Sequence, residues 1–100
     1  MNKGLVVEYV IGNQQARVVL VSASRYNPGR GTFAVIRQAT GAPPPPSVTV
    51  VTEPGDAVAG VVDLTRLRPL DPDSVRRRVG ALTATTMRRV DTALRNYLDL

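Results

Sequence analysis

Neither histidine nor cysteine occurs in this chain, and that restricts its chemistry before any fold is considered. Without imidazole it lacks the commonest general base and the commonest metal ligand. Without thiols it has no disulfide framework and no thiolate metal site. Catalysis must then use Arg, Lys, Tyr, Thr, Ser or a carboxylate. The acidic residues Glu8, Asp56, Asp63, Asp71, Asp73, Asp91 and Asp99 show no metal-ligand spacing, so neither a metal nor another cofactor is expected. Twelve of the thirteen basic residues are arginine, and the net charge is +5. Guanidinium forks suit bidentate contact with phosphate, so the balance favours a polyanionic partner, although a codon preference alone would give the same Arg-for-Lys bias. Ser22, Arg25, Asn27 and Arg30 cluster around one turn, and Arg76-Arg77-Arg78 is the densest positive run.

The elements that must position these residues are strands first and a helix last. One hundred residues make one domain, 1–100, with no internal repeat. Gly4–Ile11 is rich in Val and Tyr, and Arg17–Ala23 is an apolar run typical of a strand covered on both faces. The polar residues Gly12-Asn13-Gln14-Gln15 between them have hairpin-turn character. Asn27-Pro28-Gly29-Arg30-Gly31 is a second turn, followed by a strand over Thr32–Ala39. Pro43–Pro46 cannot donate to a ladder and reads as an exposed extended loop. Ser47–Thr52 reads as a fourth strand, and Ala57–Asp63 and Arg66–Arg68 as two further pieces ended by Pro69. Asp71-Pro72-Asp73-Ser74 looks like a helix start, which predicts a short helical turn over Ser74–Val79 stopped by Gly80 and makes the arginine run a solvated helix face. Thr83 then caps a helix to about Leu98, with Met87, Val90, Leu94, Tyr97 and Leu98 on one apolar stripe. Short strands punctuated by Gly and Pro, then one amphipathic helix, suggest a small curled sheet or barrel with the helix packed on it.

Over nearly its whole length the chain resembles the MazF/PemK-like toxins. The similar segments are the opening Gly4-Leu5-Val6-Val7, the Ala16–Ser22 run followed by Tyr26-Asn27, the step Arg37-Gln38-Ala39-Thr40, the strand Ser47–Val51, and Gly60-Val61-Val62-Asp63-Leu64. The end carries the similarity best: Arg78-Val79-Gly80-Ala81-Leu82-Thr83, then Thr86-Met87 and Ala93-Leu94. Two departures stand out. The proline that follows the family's arginine is absent, so Arg17 occupies either the arginine position after a one-residue deletion or the proline position. The Thr-Thr step is reduced to Ala39-Thr40. A one-residue slip matters because it turns a strand side chain to the other face. The short first loop is similar to that of short-loop actinobacterial members.

The resemblance implies a mainly β fold with a C-terminal helix, a small SH3-like or CcdB-type barrel that forms a homodimer. It implies a type II toxin that cleaves single-stranded RNA sequence-specifically and without metal, and that is silenced by a MazE-like antitoxin with an acidic tail. In such a reaction the ribose 2′-OH attacks the adjacent phosphorus, which requires a proton acceptor and stabilisation of the phosphorane charge. The catalytic roles carry over to Arg17, as phosphate stabiliser, and to Thr40, as a hydroxyl beside the scissile phosphate. Ser22, Arg25, Asn27, Arg30 and Arg37 are the candidate RNA contacts.

Two other functions fit the same pattern: a CcdB-like gyrase poison, and a non-catalytic RNA- or protein-binding barrel. The apolar run Leu5–Ile11 is interrupted by Glu8 and lacks the length and cleavage site of a signal peptide, and no segment approaches the ~20 apolar residues of a membrane span. No membrane partner is expected, and the cytoplasm is the expected compartment.

Overall fold

β-Branched residues fill the first half of the chain, and they build strands that bury both faces. The computed structural model describes residues 3–22, 31–38 and 48–98. Within them lie β1 (Leu5–Ile11), β2 (Gln14–Leu20), β3 (Thr32–Arg37), β4 (Thr49–Val51), β5 (Val61–Pro69), a 3-10 turn (Pro72–Ser74), β6 (Val75–Ala81) and α1 (Ala84–Leu98). The strands form one antiparallel sheet in the order β4-β5-β3-β2-β1-β6. The sheet curls until the segment after β4 meets the last strand, where the Ala57 amide donates to the Ala81 carbonyl at 3.3 Å.

Each face of the sheet carries its own apolar cluster, because successive side chains point to opposite sides. On one face Val6, Val19, Ala34, Ile36, Val62 and Leu64 pack under α1 against Met87, Val90 and Ala93. On the other, Val7, Tyr9, Val18, Leu20 and Phe33 pack with Leu70. The Tyr9 and Phe33 rings lie 4.7 Å apart, and the Tyr9 hydroxyl accepts the Asp71 amide at 2.8 Å. This covers the aromatic pair with the chain that leads into the 3-10 turn.

Several expectations need correcting. The first turn is only Gly12-Asn13, with Gly12 at φ 62°, and β2 starts at Gln14 rather than Arg17. Gln14 and Gln15 are exposed, yet their backbones complete the ladder with Ile11 and Val10. β3 ends at Arg37 and β4 spans only Thr49–Val51. The two pieces expected at Ala57–Asp63 and Arg66–Arg68 are one strand, β5, which starts only at Val61, runs to Pro69 and has an irregular ladder between Phe33 and Val35. The expected helical turn at 74–79 is the strand β6, and only Pro72–Ser74 is helical. The outer edge of β1 needs backbone partners, and tertiary pairing overrides the local helix signal. Arg76, Arg77 and Arg78 therefore line a sheet edge, a usual place for charge that blocks unwanted pairing. Gly80 does not stop a helix; a Cβ there would come within 2.6 Å of the Ala57 Cβ. The apolar stripe of α1 is also shorter than expected, since Tyr97 and Leu98 are exposed.

The start of α1 is fixed by a turn 27 residues earlier in the chain. The Thr83 hydroxyl accepts the Thr86 amide at 3.2 Å, as an N-cap should. Asp56 supports it: one carboxylate oxygen accepts the Thr83 amide at 2.6 Å, and the other accepts the buried Thr86 hydroxyl at 2.7 Å and the Glu53 amide at 2.6 Å. Burial alone would raise the Asp56 carboxyl, but these hydrogen bonds outweigh it and hold it below the ordinary aspartate range. Gly60 is equally constrained, since a Cβ there would meet the Arg37 carbonyl at 2.5 Å.

Three outcomes follow, all readable by thermal and acid melts. Asp56→Ala lowers stability by about 2 kcal/mol, because the Thr83 amide, the Thr86 hydroxyl and the Glu53 amide all lose their carboxylate acceptor while Thr83 still caps the helix. Because the folded carboxyl titrates low, the stability that Asp56 contributes is present above the ordinary aspartate range and is lost as pH falls through its folded value; Asp56→Asn flattens that acid limb. Gly60→Ala costs about 1–3 kcal/mol by pushing β5 away from β3.

Candidate functional site

The alternation that builds the two cores also sorts the candidate residues. Arg17 stands opposite Glu8 on β1 and opposite Ile36 on β3. Directly opposed residues of an antiparallel ladder share a face. Glu8 and Arg17 therefore project together, and Arg37, next to Ile36, projects to the other side. On β2 it is Ala16, opposite Tyr9, that shares the face of Arg37.

The first centre lies at the end of the helix-bearing face that α1 leaves open. Arg77 on β6 donates through Nη2 to Glu8 Oε1 at 2.7 Å, and Gln15 donates through Nε2 to Oε2 at 2.9 Å. The hydrogen bond from Arg77, against some desolvation and with the added fields of Arg77 and Arg17, holds Glu8 below the ordinary glutamate range. Glu8 in turn reinforces the protonation of Arg77. Arg17 is exposed beside this carboxylate. A guanidinium next to an ionised carboxylate pairs a phosphate stabiliser with a proton acceptor, the two functions that a histidine-free chain must find elsewhere.

The second centre is on the opposite face. Asp63 is a buried carboxylate whose Oδ1 accepts the Thr65 amide at 2.9 Å and the Thr65 hydroxyl at 2.6 Å. Its Oδ2 lies 3.0 Å from Arg37 Nε. Desolvation pushes this carboxyl up, but the Thr65 hydrogen bonds and the charges of Arg37 and Arg66 outweigh it and lower the net value. Asp63 is only 12% exposed, whereas Arg37 is 55% exposed, so one end of this ion pair is fixed in the interior and the other reaches solvent.

The other expected site residues fall differently. The Ser22 hydroxyl accepts the Thr32 amide at 2.7 Å and so ties the end of β2 to the start of β3. Thr40, Arg25, Asn27 and Arg30 lie outside the described residues. Glu8, Gln15, Arg77, Asp63 and Thr65 were not anticipated as site residues. The available signal was a lone acid in each of two apolar strands, since a carboxylate at a half-buried strand position must find a partner. A cleft of about 380 Å³ between α1 and β4 is lined by Thr85, Arg88, Arg89, Thr92 and Asn96. Arg89 is already engaged there, donating to the Val51 carbonyl at 3.1 Å and reaching Glu53 at 3.6 Å.

This architecture has close counterparts. An endoribonuclease in complex with its cognate antitoxin, from a mycobacterial species, superposes with a TM-score of 0.88 at 22% identity, over 100% of this chain and 96% of that one. A second mycobacterial endoribonuclease gives 0.81 at 24% identity, over 100% and 92%. A chain of a MazE–MazF crystal structure from Deinococcus radiodurans gives 0.81 at 20% identity, over 100% and 96%. At these identities the likeness establishes the fold. No curated protein matches the sequence. The family profile described as "PemK-like, MazF-like toxin of type II toxin-antitoxin system" matches residues 6–98. With that match spanning almost all of it, and the six-stranded sheet and C-terminal helix in place, the chain belongs to the PemK-like, MazF-like toxins of type II toxin–antitoxin systems.

Proposed function

We propose that this toxin is a metal-independent endoribonuclease that cleaves single-stranded RNA in the cytoplasm and so arrests translation and growth. Family membership supports this, as do structural neighbours that are themselves endoribonucleases. The single structural observation that carries it is the exposed Arg17 guanidinium beside the ionised Glu8. Glu8 accepts the 2′-OH proton, and the new 2′-O–P bond forms as the P–O5′ bond breaks. Solvent protonates the departing 5′-oxygen, and Glu8 returns its proton to solvent. Arg17 stays protonated and stabilises the phosphorane charge. The products are a 2′,3′-cyclic phosphate and a 5′-hydroxyl. Thr40 supplies a hydroxyl to a phosphate oxygen, and Ser22, Arg25, Asn27, Arg30 and Arg37 hold the flanking strand.

The working assembly is a homodimer, for which the exposed Val51, Tyr97 and Leu98 offer apolar surface. The cognate antitoxin carries an acidic, initially disordered tail, which the net charge of +5 on the toxin would attract.

Purified protein incubated with a long RNA in excess EDTA, with end mapping of the fragments, tests the reading. Cleavage should persist in EDTA and leave cyclic-phosphate ends. Arg17→Ala and Glu8→Gln should each cut the rate at least 100-fold. The rate should hold down to the ordinary glutamate range and fall only below it, as the low-titrating Glu8 gains its proton. RNA binding without scission would select the non-catalytic barrel, and DNA breaks with intact RNA the gyrase poison.

A further inference from the structure

Among the described arginines, Arg37 is held differently, with its Nε against a buried carboxylate. Its Nε sits 3.0 Å from Asp63 Oδ2, and Asp63 is fixed at its other oxygen by two hydrogen bonds from Thr65. Exposed ion pairs contribute little because both side chains are free to move and water screens them. Here one partner is buried and already oriented, so the ordering cost falls mainly on Arg37. Nε is the nitrogen nearest the carboxylate, and among the described residues neither terminal amino group of Arg37 makes a hydrogen bond, which leaves the fork that fits a phosphate available. One residue beyond the Arg17–Ile36 pair, β2 carries Ala16 on the face of Arg37, a side chain of one methyl group. By contrast Arg77 spends an Nη on Glu8, Arg88 reaches Thr85 through an Nη, and Arg89 spends an Nη on the Val51 carbonyl.

We propose that Asp63 and Thr65 are positioning residues that make Arg37 a fixed clamp for a phosphodiester of bound single-stranded RNA, on the face opposite to Arg17. This rests on the RNA-cleaving function proposed above and assigns a second contact surface to it. Burial on both sides of β5 keeps Asp63 in place whether or not RNA is present. The clamp is thus formed before binding, and its contribution appears in affinity rather than in the bond-breaking step. The low-titrating carboxyl keeps it intact through the ordinary aspartate range. A strand that touches both Arg17 and Arg37 must pass from one face to the other, or span two copies of the chain.

The test uses the full chain and a 2′-O-methyl single-stranded oligonucleotide, which binds but cannot be cut. Asp63→Asn keeps the shape and removes the charge; Thr65→Val removes the hydroxyl and keeps the amide. Asp63→Asn should weaken binding about 10-fold and Thr65→Val about 3-fold, each with a native thermal melt. In the Arg37→Ala background the same two changes should have no further effect, which a merely structural role would not produce. With cleavable RNA, Asp63→Asn should raise KM and leave kcat within 2-fold. The Arg37 Nε chemical shift should report the adjacent carboxylate in the wild type and move in Asp63→Asn. Arg95→Ala, an equal change of charge elsewhere, should leave binding within 2-fold. Binding unchanged in Asp63→Asn, or equally weakened with and without Arg37, overturns the clamp. Oligonucleotide binding that depends on Arg37 in a protein that cuts no RNA would overturn the cleavage reading and leave the clamp standing.

Discussion

Antiparallel pairing gives each side chain of β1, β2, β3 and β5 one of two directions, and most of both directions are filled with apolar core. Val6, Val19, Ile36 and Val62 must face α1, and Val7, Val18, Leu20 and Phe33 must face away from it. Shifting any of these strands by one residue would exchange the two sets, at a cost far beyond what a few polar contacts could offset. The places of Arg17 and Arg37 are therefore consequences of core packing. Neither can change face while Val18, Val19 and Ile36 stay buried.

That constraint explains why the molecule carries two arginine centres of different character. At the β6 edge, where several arginines are exposed, Glu8 is surrounded by Arg17, Arg77 and Gln15. One carboxylate among several cations leaves net positive charge and at least one free guanidinium. On the other face, Asp63 holds one main cation, Arg37, and is itself held by Thr65. The first arrangement suits a step in which charge develops and moves. The second suits rigid recognition, since an oriented donor loses little entropy when it meets phosphate.

Much of the architecture was legible in the sequence because it rests on local signals. Thr83 before a 3.6-residue apolar period marked α1, and runs of Val bounded by Gly and Pro marked the strands. The failures share a physical cause. β6 has the Asp-Pro-Asp-Ser opening of a helix, but its conformation is decided by pairing with β1, roughly 70 residues away in the chain. Gln14 and Gln15 look like turn residues because their side chains are polar, whereas their strand state follows from backbone pairing with Val10 and Ile11. The site was legible by residue type more than by arrangement. Arginine and hydroxyl chemistry follows from a chain without His or Cys, but Glu8 and Asp63 gain their partners only across strands.

The missing proline after the arginine and the ladder register bear on each other. A proline in β2 would remove one backbone donor from a strand paired on both sides, so it could sit only where the ladder has a gap. In this chain Arg17 occupies a paired position between Glu8 and Ile36, and β2 continues unbroken from Gln14 to Leu20. With a continuous ladder, the arginine of β2 takes the helix-bearing face and the methyl of Ala16 takes the other. The face left without a β2 guanidinium is the one on which β3 presents Arg37, braced by Asp63 from β5. The same pairing that turned Arg17 toward Glu8 thus left room for a second, independently supported cation, and the two are tied to one another only through the backbone that separates them.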